Sequence, residues 1–413
     1  MTHALLRSRS DDSPHHGAAA SRAPLLHPFV WLTLSDAASL RGIRREWTAL
    51  AERADAGLCL TPEWIESWHE TIAPDARPQV ITAWDAAGRL AALWPLCVRR
   101  WGGARLRWRV LETMGGAIAS GDRLNPLRAA PGLEHELALH ARRTGRREAD
   151  QIRWNELSVE DSMTRALVHG SEQRGWRICD RRPLPILPLP ARGDAFLAGL
   201  SANRRGLIRR RERQAARLGL TFRTHCDGPA LPAALEQFMA LHASCWSARG
   251  GTGNFADPRL AAFLTRFAQR AADRGWVRLH CLCDGESPVA AMLVIHFAGR
   301  AYYYQSGWSP AAAAVSPGML CLSQAIRGAI DEGLDLFDFM RGDEEYKSHW
   351  ATESERTLTI IEPLTTRGRL MVLGRDAKEG IRRGVTRTMG PAAWTALKSR
   401  LAPRRSTARE PVA

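Results

Sequence analysis

Residues 301–350 constrain the fold of this chain more than any other stretch. Residues 301–306 are aromatic and typical of a strand, residues 319–331 have helical spacing ended by a glycine, and residues 334–339 alternate apolar and acidic side chains. This order predicts two parallel strands joined by a crossover helix, because a parallel pair needs a connection of that length. The amino end of such a helix attracts anions, so the unit predicts an anion-binding site.

A dense polar segment follows the second predicted strand. It reads Arg341-Gly342-Asp343-Glu344-Glu345-Tyr346-Lys347-Ser348-His349-Trp350. The chain has three lysines against 55 arginines, and the other two lysines are Lys378 and Lys398. Arginine keeps its proton and its planar fork does not replace a compact ammonium group, so Lys347 in this setting suggests a site residue. A surface ion pair with Asp343 or Glu344 is the alternative. A reactive cluster beyond a βαβ unit points to a group-transfer enzyme.

Length and composition set the remaining bounds. A chain of 413 residues predicts two to three domains, and 45% hydrophobic residues is ordinary for a globular protein. The net charge of +15 would suit nucleic acid, an anionic membrane surface or an anionic substrate, but arginine enrichment alone explains it and is the reading we favour. Eight scattered cysteines without paired CxxC spacing predict free thiols and no metal site. With no spanning apolar run and no secretory signal, we predict a cytoplasmic protein.

Two similar hairpins predict an internal duplication. Asp85 marks the turn of the first and Asp284 the turn of the second, 199 residues later, and an alanine pair follows each turn at the same spacing. Predicted helices at 62–71 and 258–274 precede the two hairpins. A repeat at this distance indicates two related domains rather than a solenoid.

The duplication leads to a predicted domain organisation. We expect a disordered segment at residues 1–27, an N-terminal domain at 28–190, a C-terminal domain at 191–365 that carries the active site, and a basic tail at 366–413 with one short helix near 392–401. One continuous arginine-rich helix is predicted over residues 196–219, as a polyanion-binding surface or as a solvated charged face.

Several motifs in order make the chain resemble a known family. They are Asn203-Arg204-Arg205, Leu241-His242-Ala243-Ser244-Cys245-Trp246, the Asp284-Gly285 hairpin, Ser316-Pro317-Gly318, and residues 337–347 with Trp350. Together they resemble the GNAT acyltransferase superfamily. More narrowly, the chain is similar to the double-domain acetyltransferases linked to cellulose and exopolysaccharide biosynthesis (the CelD/BcsL type), which are relatives of the Fem-type aminoacyltransferases of peptidoglycan synthesis. The similarity spans about residues 30–365.

The resemblance implies an α/β (α+β) fold of tandem duplicated GNAT-like domains, each a mixed, mostly antiparallel sheet flanked by helices. It also implies transfer of an acyl group, acetyl from acetyl-CoA as co-substrate, with no tightly bound cofactor. The acceptor would be an amine or hydroxyl of a sugar, a polysaccharide precursor or a small molecule. In that superfamily two parallel strands splay apart, the pantetheine arm enters the gap, and the pyrophosphate lies on the amino end of the intervening helix.

The candidate site residues follow from these patterns and from the resemblance. The base is Asp338, Glu344 or Glu345, Tyr346 returns a proton to the thiolate, and Lys347 completes the catalytic group. The cofactor-binding candidates are Ser306, Ser316, Pro317 and Gly318. The substrate-binding candidates are Tyr304, Arg341, Asp343, Trp350, Asn203 and Arg204.

Two alternatives remain open from the sequence. The loop before the crossover helix has only Gly318 after Pro317, which lacks an N–H group, so few donors face a phosphate. An aminoacyl-tRNA donor is therefore one alternative to acetyl-CoA, with the arginine-rich helix as its contact; no other nucleic acid partner is expected. The second alternative is a non-catalytic module that binds a synthase partner through some of the 15 tryptophans.

Overall fold

The structure is a computed structural model that describes residues 29–54, 57–103, 106–171 and 176–389. The helices are α1 (Ala37–Gly42), α2 (Arg44–Arg53), α3 (Pro62–Thr71), α4 (Glu134–Glu148), α5 (Ser162–Ser171), α6 (Gly193–Gly199), α7 (Ala202–Arg217), α8 (Leu231–Ser247), α9 (Pro258–Ala272), α10 (Pro317–Asp331), α11 (Glu345–Ser348) and α12 (Thr366–Met389). The predicted segment 1–27 and the predicted helix near 392–401 lie outside the described residues.

The strands fall into two sheets. They are β1 (Val30–Leu34), β2 (Arg77–Pro78), β3 (Val80–Trp84), β4 (Leu90–Trp94), β5 (Leu96–Gly103), β6 (Leu106–Thr113), β7 (Leu127–Arg128), β8 (Gln151–Ser158), β9 (Arg177–Pro188), β10 (Thr221–His225), β11 (Val277–Asp284), β12 (Ser287–Phe297), β13 (Arg300–Trp308), β14 (Leu336–Asp338) and β15 (Glu353–Pro363). The small sheet has the order β1-β3-β4-β7, and the large one β10-β11-β12-β13-β14-β9-β15-β8-β6-β5-β2.

The same arrangement of elements occurs twice. The antiparallel hairpin β3–β4 is followed by the parallel pair β6 and β8 with α4 between them, and the hairpin β11–β12 is followed by the parallel pair β13 and β14 with α10 between them. Asp85 and Asp284 lie at the turns of the corresponding hairpins. The predicted fold class, a tandem and mostly antiparallel α/β architecture with flanking helices, is confirmed.

The two halves exchange strands at their junction. β9 pairs antiparallel with both β14 and β15, and β15 also pairs antiparallel with β8. Strands from either side of residue 190 therefore alternate in one continuous sheet. The predicted division into 28–190 and 191–365 stays a prediction, because backbone pairing does not stop at that point.

One hydrophobic core also spans both halves. Trp64 of α3 packs edge-on against Phe263 and Phe267 of α9, with ring centroids 4.9 Å apart in each case, and against Tyr304 of β13 at 5.9 Å. Its indole N–H donates to the carbonyl of Gly115 at 2.9 Å. Edge-on aromatic pairs of this kind add to the stability gained from burial alone, so α3 and α9 hold the two halves together.

Two predicted elements differ from the structure. The continuous helix expected over 196–219 is two helices, because Leu200 leaves the helical conformation and the side chain of Ser201 caps α7 by accepting the N–H of Arg204 at 3.2 Å. The region expected as a tail with one short helix begins instead with the 24-residue helix α12. Among the described residues, no helix has both the length and the apolar character needed to cross a bilayer.

Candidate active site

Strands β13 and β14 separate at their carboxyl ends. Their parallel pairing ends at Tyr302 and Asp338. Beyond that point the chain after β14 follows β9, since the N–H of Gly342 bonds the carbonyl of Pro183 at 3.2 Å. β13 continues along β12 and carries a bulge at Tyr304, where the pairing register shifts. A bulge bends its strand and redirects side chains, so a gap opens beside residues 303–306, as the resemblance implied.

A cleft of about 550 Å³ lies on one side of this gap, and we call it the first cleft. Its walls come from α7, α8, β12, β13 and the amino end of α10. The lining residues are Arg204, Cys245, Trp246, Arg249, Met292, Tyr303, Gln305, Ser306, Trp308, Ala313, Ser316, Pro317, Gly318, Met319, Leu322, Glu344, Tyr346 and Trp350. The wall is mostly apolar and aromatic, which suits the flexible arm of a thioester donor.

A second cleft of about 410 Å³ lies on the other side of the gap. Its lining residues are Ser120, Arg181, Arg182, Pro183, Asn254, Tyr303, Tyr304, Gln305, Phe339, Met340, Arg341, Gly342, Asp343, Glu344, Tyr346 and Lys347. Four residues line both clefts: Tyr303, Gln305, Glu344 and Tyr346. The clefts therefore meet along one shared wall, and the second is the more polar.

The sequence-predicted residues divide between these clefts. Arg204, Ser306, Ser316, Pro317, Gly318 and Trp350 line the first, Tyr304, Arg341, Asp343 and Lys347 line the second, and Glu344 and Tyr346 line both. Three predicted residues line neither cleft: Asp338, Asn203 and Glu345. Asn203 and Glu345 are exposed.

Lys347 lies within the wall rather than at the mouth where the sequence suggested it. The residue is 3% exposed, and its ammonium group lies 2.9 Å from a carboxylate oxygen of Glu344 and donates to the carbonyl of Arg341 at 3.0 Å. Gly342 makes this arrangement possible, since a Cβ there would overlap Glu344 and lie 2.9 Å from the ammonium nitrogen. Lys347 therefore fixes the position of the Glu344 carboxylate.

Tyr346 belongs to a chain of hydroxyl groups at the shared wall. Its phenol donates to the Tyr303 hydroxyl at 3.2 Å, and that hydroxyl lies 2.7 Å from the Ser306 hydroxyl. The residue is 40% exposed overall, yet desolvation of its hydroxyl end, together with Tyr303, raises the pKa of the phenol well above its usual value. Tyr346 is thus protonated at neutral pH, and its hydroxyl lies where the two clefts meet.

His242 supports the bulged strand from behind. Its Nδ1 lies 2.8 Å from the Ser306 carbonyl, and its Nε2 accepts the N–H of Asn254 at 3.3 Å. Nδ1 is therefore the protonated nitrogen, and burial lowers the pKa of the imidazole. Gly307 lets α8 approach this closely, because a Cβ there would overlap the His242 backbone. His242 positions β13 and does not line either cleft.

Asp338 does not fit the predicted role of general base. The residue is fully buried; its Oδ2 lies 2.8 Å from an Arg123 nitrogen and its Oδ1 accepts the N–H of Met340 at 2.7 Å. Burial raises the pKa of this carboxyl to about 6. Asp122 and Glu355 also pair with Arg123. Asp338 belongs to an ion-pair network between the two halves and lines neither cleft.

The amino end of α10 offers fewer donors than a typical anion site. Pro317 has no N–H group, and the N–H groups of Met319 and Leu320 both bond the carbonyl of Ser316, at 3.0 and 3.2 Å. This leaves the N–H of Gly318 without an acceptor among the described residues. The prediction of an anion at this helix end therefore has one backbone donor to support it.

Sequence reasoning missed two aromatic–arginine pairs in the first cleft. The guanidinium carbon of Arg249 lies 5.5 Å from the ring centroid of Trp308, and that of Arg204 lies 5.5 Å from the centroid of Trp350. Trp350 is 4% exposed and stacks on Phe196. Arg249 follows α8 and Trp308 ends β13, so no local pattern connects them. Because the chain contains 55 arginines, composition did not single out Arg249 as a candidate site residue.

Part of the chain matches a known protein family. Residues 202–348 match the family described as acetyltransferase (GNAT) domain. The matched range runs from α7 through α11 and contains nearly all of the first cleft. Residues 202–348 are therefore similar to a GNAT-type acetyltransferase domain. No curated protein sequence matches the chain.

Solved structures share the fold at low identity. The crystal structure of FemX is similar with a TM-score of 0.58 and 11% identity, over 80% of this chain and 98% of that one. L-PGS from Bacillus licheniformis gives a TM-score of 0.48 and 14% identity, over 83% of this chain and 96% of that one. A tandem GNAT protein from the clavulanic acid biosynthesis pathway gives 0.45 and 12%, over 81% and 98%. Likeness to FemX at this identity shows the fold alone.

Proposed function

We propose that this protein transfers an acetyl group from acetyl-CoA to an amine or hydroxyl acceptor. The observation that carries the proposal is the shared wall, where Tyr303, Gln305, Glu344 and Tyr346 line both clefts. A donor in the first cleft and an acceptor in the second would meet there without a covalent enzyme intermediate. Positioning two reactants in this way accounts for a large part of the rate gain in many enzymes.

Each group at the wall has a role in this reaction. The acceptor nitrogen or oxygen attacks the thioester carbonyl, and Glu344 takes the proton that the acceptor loses. Main-chain N–H groups of β13 beyond Tyr302 stabilise the oxyanion, a contribution of about 3 kcal/mol per donor. As the carbon–sulfur bond breaks, Tyr346 donates its proton to the thiolate. The open clefts let solvent return the proton from Glu344 to Tyr346.

The acceptor class is proposed more narrowly from the resemblance. Similarity to exopolysaccharide-associated acetyltransferases of the CelD/BcsL type favours a sugar or polysaccharide precursor of the cell envelope. The polar lining of the second cleft, with Arg181, Arg182, Asn254 and Asp343, supports a hydrophilic acceptor of this kind. Apolar acceptors would leave these polar groups without partners.

Glu344→Gln tests the base. We expect turnover, measured as release of free CoA thiol with a panel of amino sugars and sugar alcohols, to fall by about 100-fold or more, because general-base catalysis contributes on that order. Binding of acetyl-CoA should be retained. Glu345→Gln is the matched control, since this neighbouring carboxylate is exposed and lines neither cleft. Full activity of Glu344→Gln would refute the assignment.

Lys347→Arg tests the positioning of that base. A guanidinium group keeps the charge but is larger and planar, and Lys347 is buried against Gly342 and Glu344. We expect a lower kcat with an unchanged KM for the donor, and a shift in the pH dependence of kcat. Wild-type pH profiles in both Lys347→Arg and Lys347→Ala would reduce this lysine to a structural residue.

A tRNA-dependent reaction is the second candidate. The exposed arginines of α7, among them Arg209 and Arg210, lie on the helix that also lines the first cleft through Arg204. This arrangement would suit an aminoacyl-tRNA donor. Thermal shift assays with acetyl-CoA and with aminoacyl-tRNA separate the two donors. Stabilisation by aminoacyl-tRNA alone would replace acetyl-CoA, and stabilisation by neither would favour a binding module without catalysis.

A further inference from the structure

Arg204 and Arg249 differ from the arginines that hold the fold together. Arg123 and Arg341 each form ion pairs with buried carboxylates. Arg204 and Arg249 both line the first cleft, and neither has a carboxylate partner among the described residues. The one carboxylate in that lining, Glu344, already pairs with Lys347. The first cleft therefore contains two cationic groups whose charge is not balanced locally.

Both guanidinium groups make cation–π contacts with tryptophan rings of the first cleft. Each guanidinium carbon lies 5.5 Å from a ring centroid, Arg204 over Trp350 and Arg249 over Trp308. A guanidinium group stacked on an aromatic face keeps its in-plane N–H groups available for hydrogen bonds. Each cation–π contact favours an arginine conformation that faces the cleft.

Arg249 also lies close to the amino end of α10. Trp308, on which it stacks, is a direct neighbour of Gly318: a Cβ on Gly318 would lie 3.5 Å from the indole ring. The Gly318 N–H is the donor that α10 leaves free, as described above. The tryptophan therefore brings a guanidinium group and a backbone donor to the same part of the cleft.

We propose that Arg204 and Arg249 form an anion clamp that binds the phosphate groups of the donor. The two guanidinium groups, one on α7 and one just after α8, donate hydrogen bonds in place of the N–H groups that α10 lacks. Bidentate hydrogen bonding to phosphate oxygens is the contact that guanidinium groups favour. The inference rests on the proposed function, because it takes the donor to be a thioester that carries phosphates.

Titration of the full-length protein with CoA tests the clamp directly. We expect Arg204→Gln and Arg249→Gln each to raise the Kd for CoA by about tenfold, since each removes a charged hydrogen bond to phosphate. Arg165→Gln is the control: Arg165 lies on α5, is exposed and lines neither cleft. Its Kd should equal that of the wild type.

A donor without phosphates separates a binding role from a structural one. For S-acetylpantetheine, we expect kcat/KM to be the same in the wild type and in both clamp variants, while kcat/KM for acetyl-CoA falls. Equal losses with both donors would mean that the substitutions distort the cleft, and would overturn the clamp. An unchanged Kd for CoA in both variants would also overturn it and leave the proposed donor intact. Failure of the wild type to bind CoA would overturn the donor itself.

Discussion

Asp338 and Glu344 lie on the same short segment, yet the structure gives them opposite surroundings. Asp338 is fully buried against Arg123, whereas Glu344 lines both clefts and pairs with Lys347. From the sequence, Asp338, Glu344 and Glu345 are all candidates for the base. In the proposed reaction, access to the clefts favours Glu344, because a general base must reach the proton that it removes.

The raised pKa of Asp338 predicts a pH dependence of stability. Its folded-state pKa is about 6, above the ordinary value of 3.8, because burial disfavours the charged form. The native protein therefore binds a proton that the unfolded chain does not, and this group's contribution to stability is lost as the pH rises through about 6. Between pH 7 and pH 5, we expect urea unfolding to show a gain on the order of 1 kcal/mol that is absent in Asp338→Asn.

Asp343→Asn is the control for this titration, because Asp343 is exposed and lies on the same segment. Its stability should follow that of the wild type across the pH range. Parallel pH dependence of the wild type and Asp338→Asn would contradict the assignment and indicate that other carboxyl groups dominate.

At the scale of elements, the contact between α8 and β13 shapes the gap between the clefts. A Cβ on Gly307 would lie 2.6 Å from the His242 Cα and closer still to its backbone nitrogen, so no side-chain rotation could relieve the overlap. We expect Gly307→Ala to lower the free energy of unfolding by about 3 kcal/mol and to impair donor binding. Chemical denaturation and CoA titration would measure the two effects.

Gly206→Ala is the matched control for Gly307→Ala. Gly206 lies in α7 with no atom within 4 Å of an added Cβ, so alanine there should stabilise the protein by about 0.5–1 kcal/mol. If the Gly307→Ala variant is as stable as the wild type, α8 can move away from β13. The close contact between them would then not be required for stability.

The sequence predicted elements whose determinants are local. The spacing of apolar residues and the glycine after α10 placed β13, α10 and β14 correctly, and the polar segment after β14 does form part of both clefts. The break between α6 and α7 was missed, although Ser201 is a good capping residue, because Leu200 fits the same helical spacing as Leu207 and Ile208. A local sequence pattern can therefore identify helical segments and still join two separate helices into one prediction.

Contacts between distant elements could not be read from the sequence. Alternation placed Asp338 on one face of β14, but nothing local showed that Arg123, from the other half of the chain, covers that face. For the same reason, the sequence did not predict that the Arg249 guanidinium group lies over the Trp308 ring. Both features depend on how helices and strands pack after they form.

At the scale of the whole molecule, three kinds of contact join the two repeated units. β9 and β15 pair with strands of both halves in the large sheet, Arg341 and Glu156 form an ion pair at 3.0 Å, and Trp64 of α3 packs against α9 and β13. The second cleft depends on this union, since Ser120, Arg181 and Arg182 come from the first half and most of its other residues from the second. Under the proposed function, both halves must therefore be folded for the acceptor to bind.

We accordingly expect the protein to unfold in a single cooperative transition. In calorimetry, the van't Hoff and calorimetric enthalpies should agree. Trp64→Ala should move the entire transition to lower temperature, with a loss of about 3–5 kcal/mol, and it should weaken CoA binding by destabilising β13 even though Trp64 lies in the first half. Trp101→Ala, at a tryptophan that is 37% exposed, should change the midpoint far less. Two separate transitions, only one of them shifted by Trp64→Ala, would show that the halves fold independently and that the shared core does not couple them.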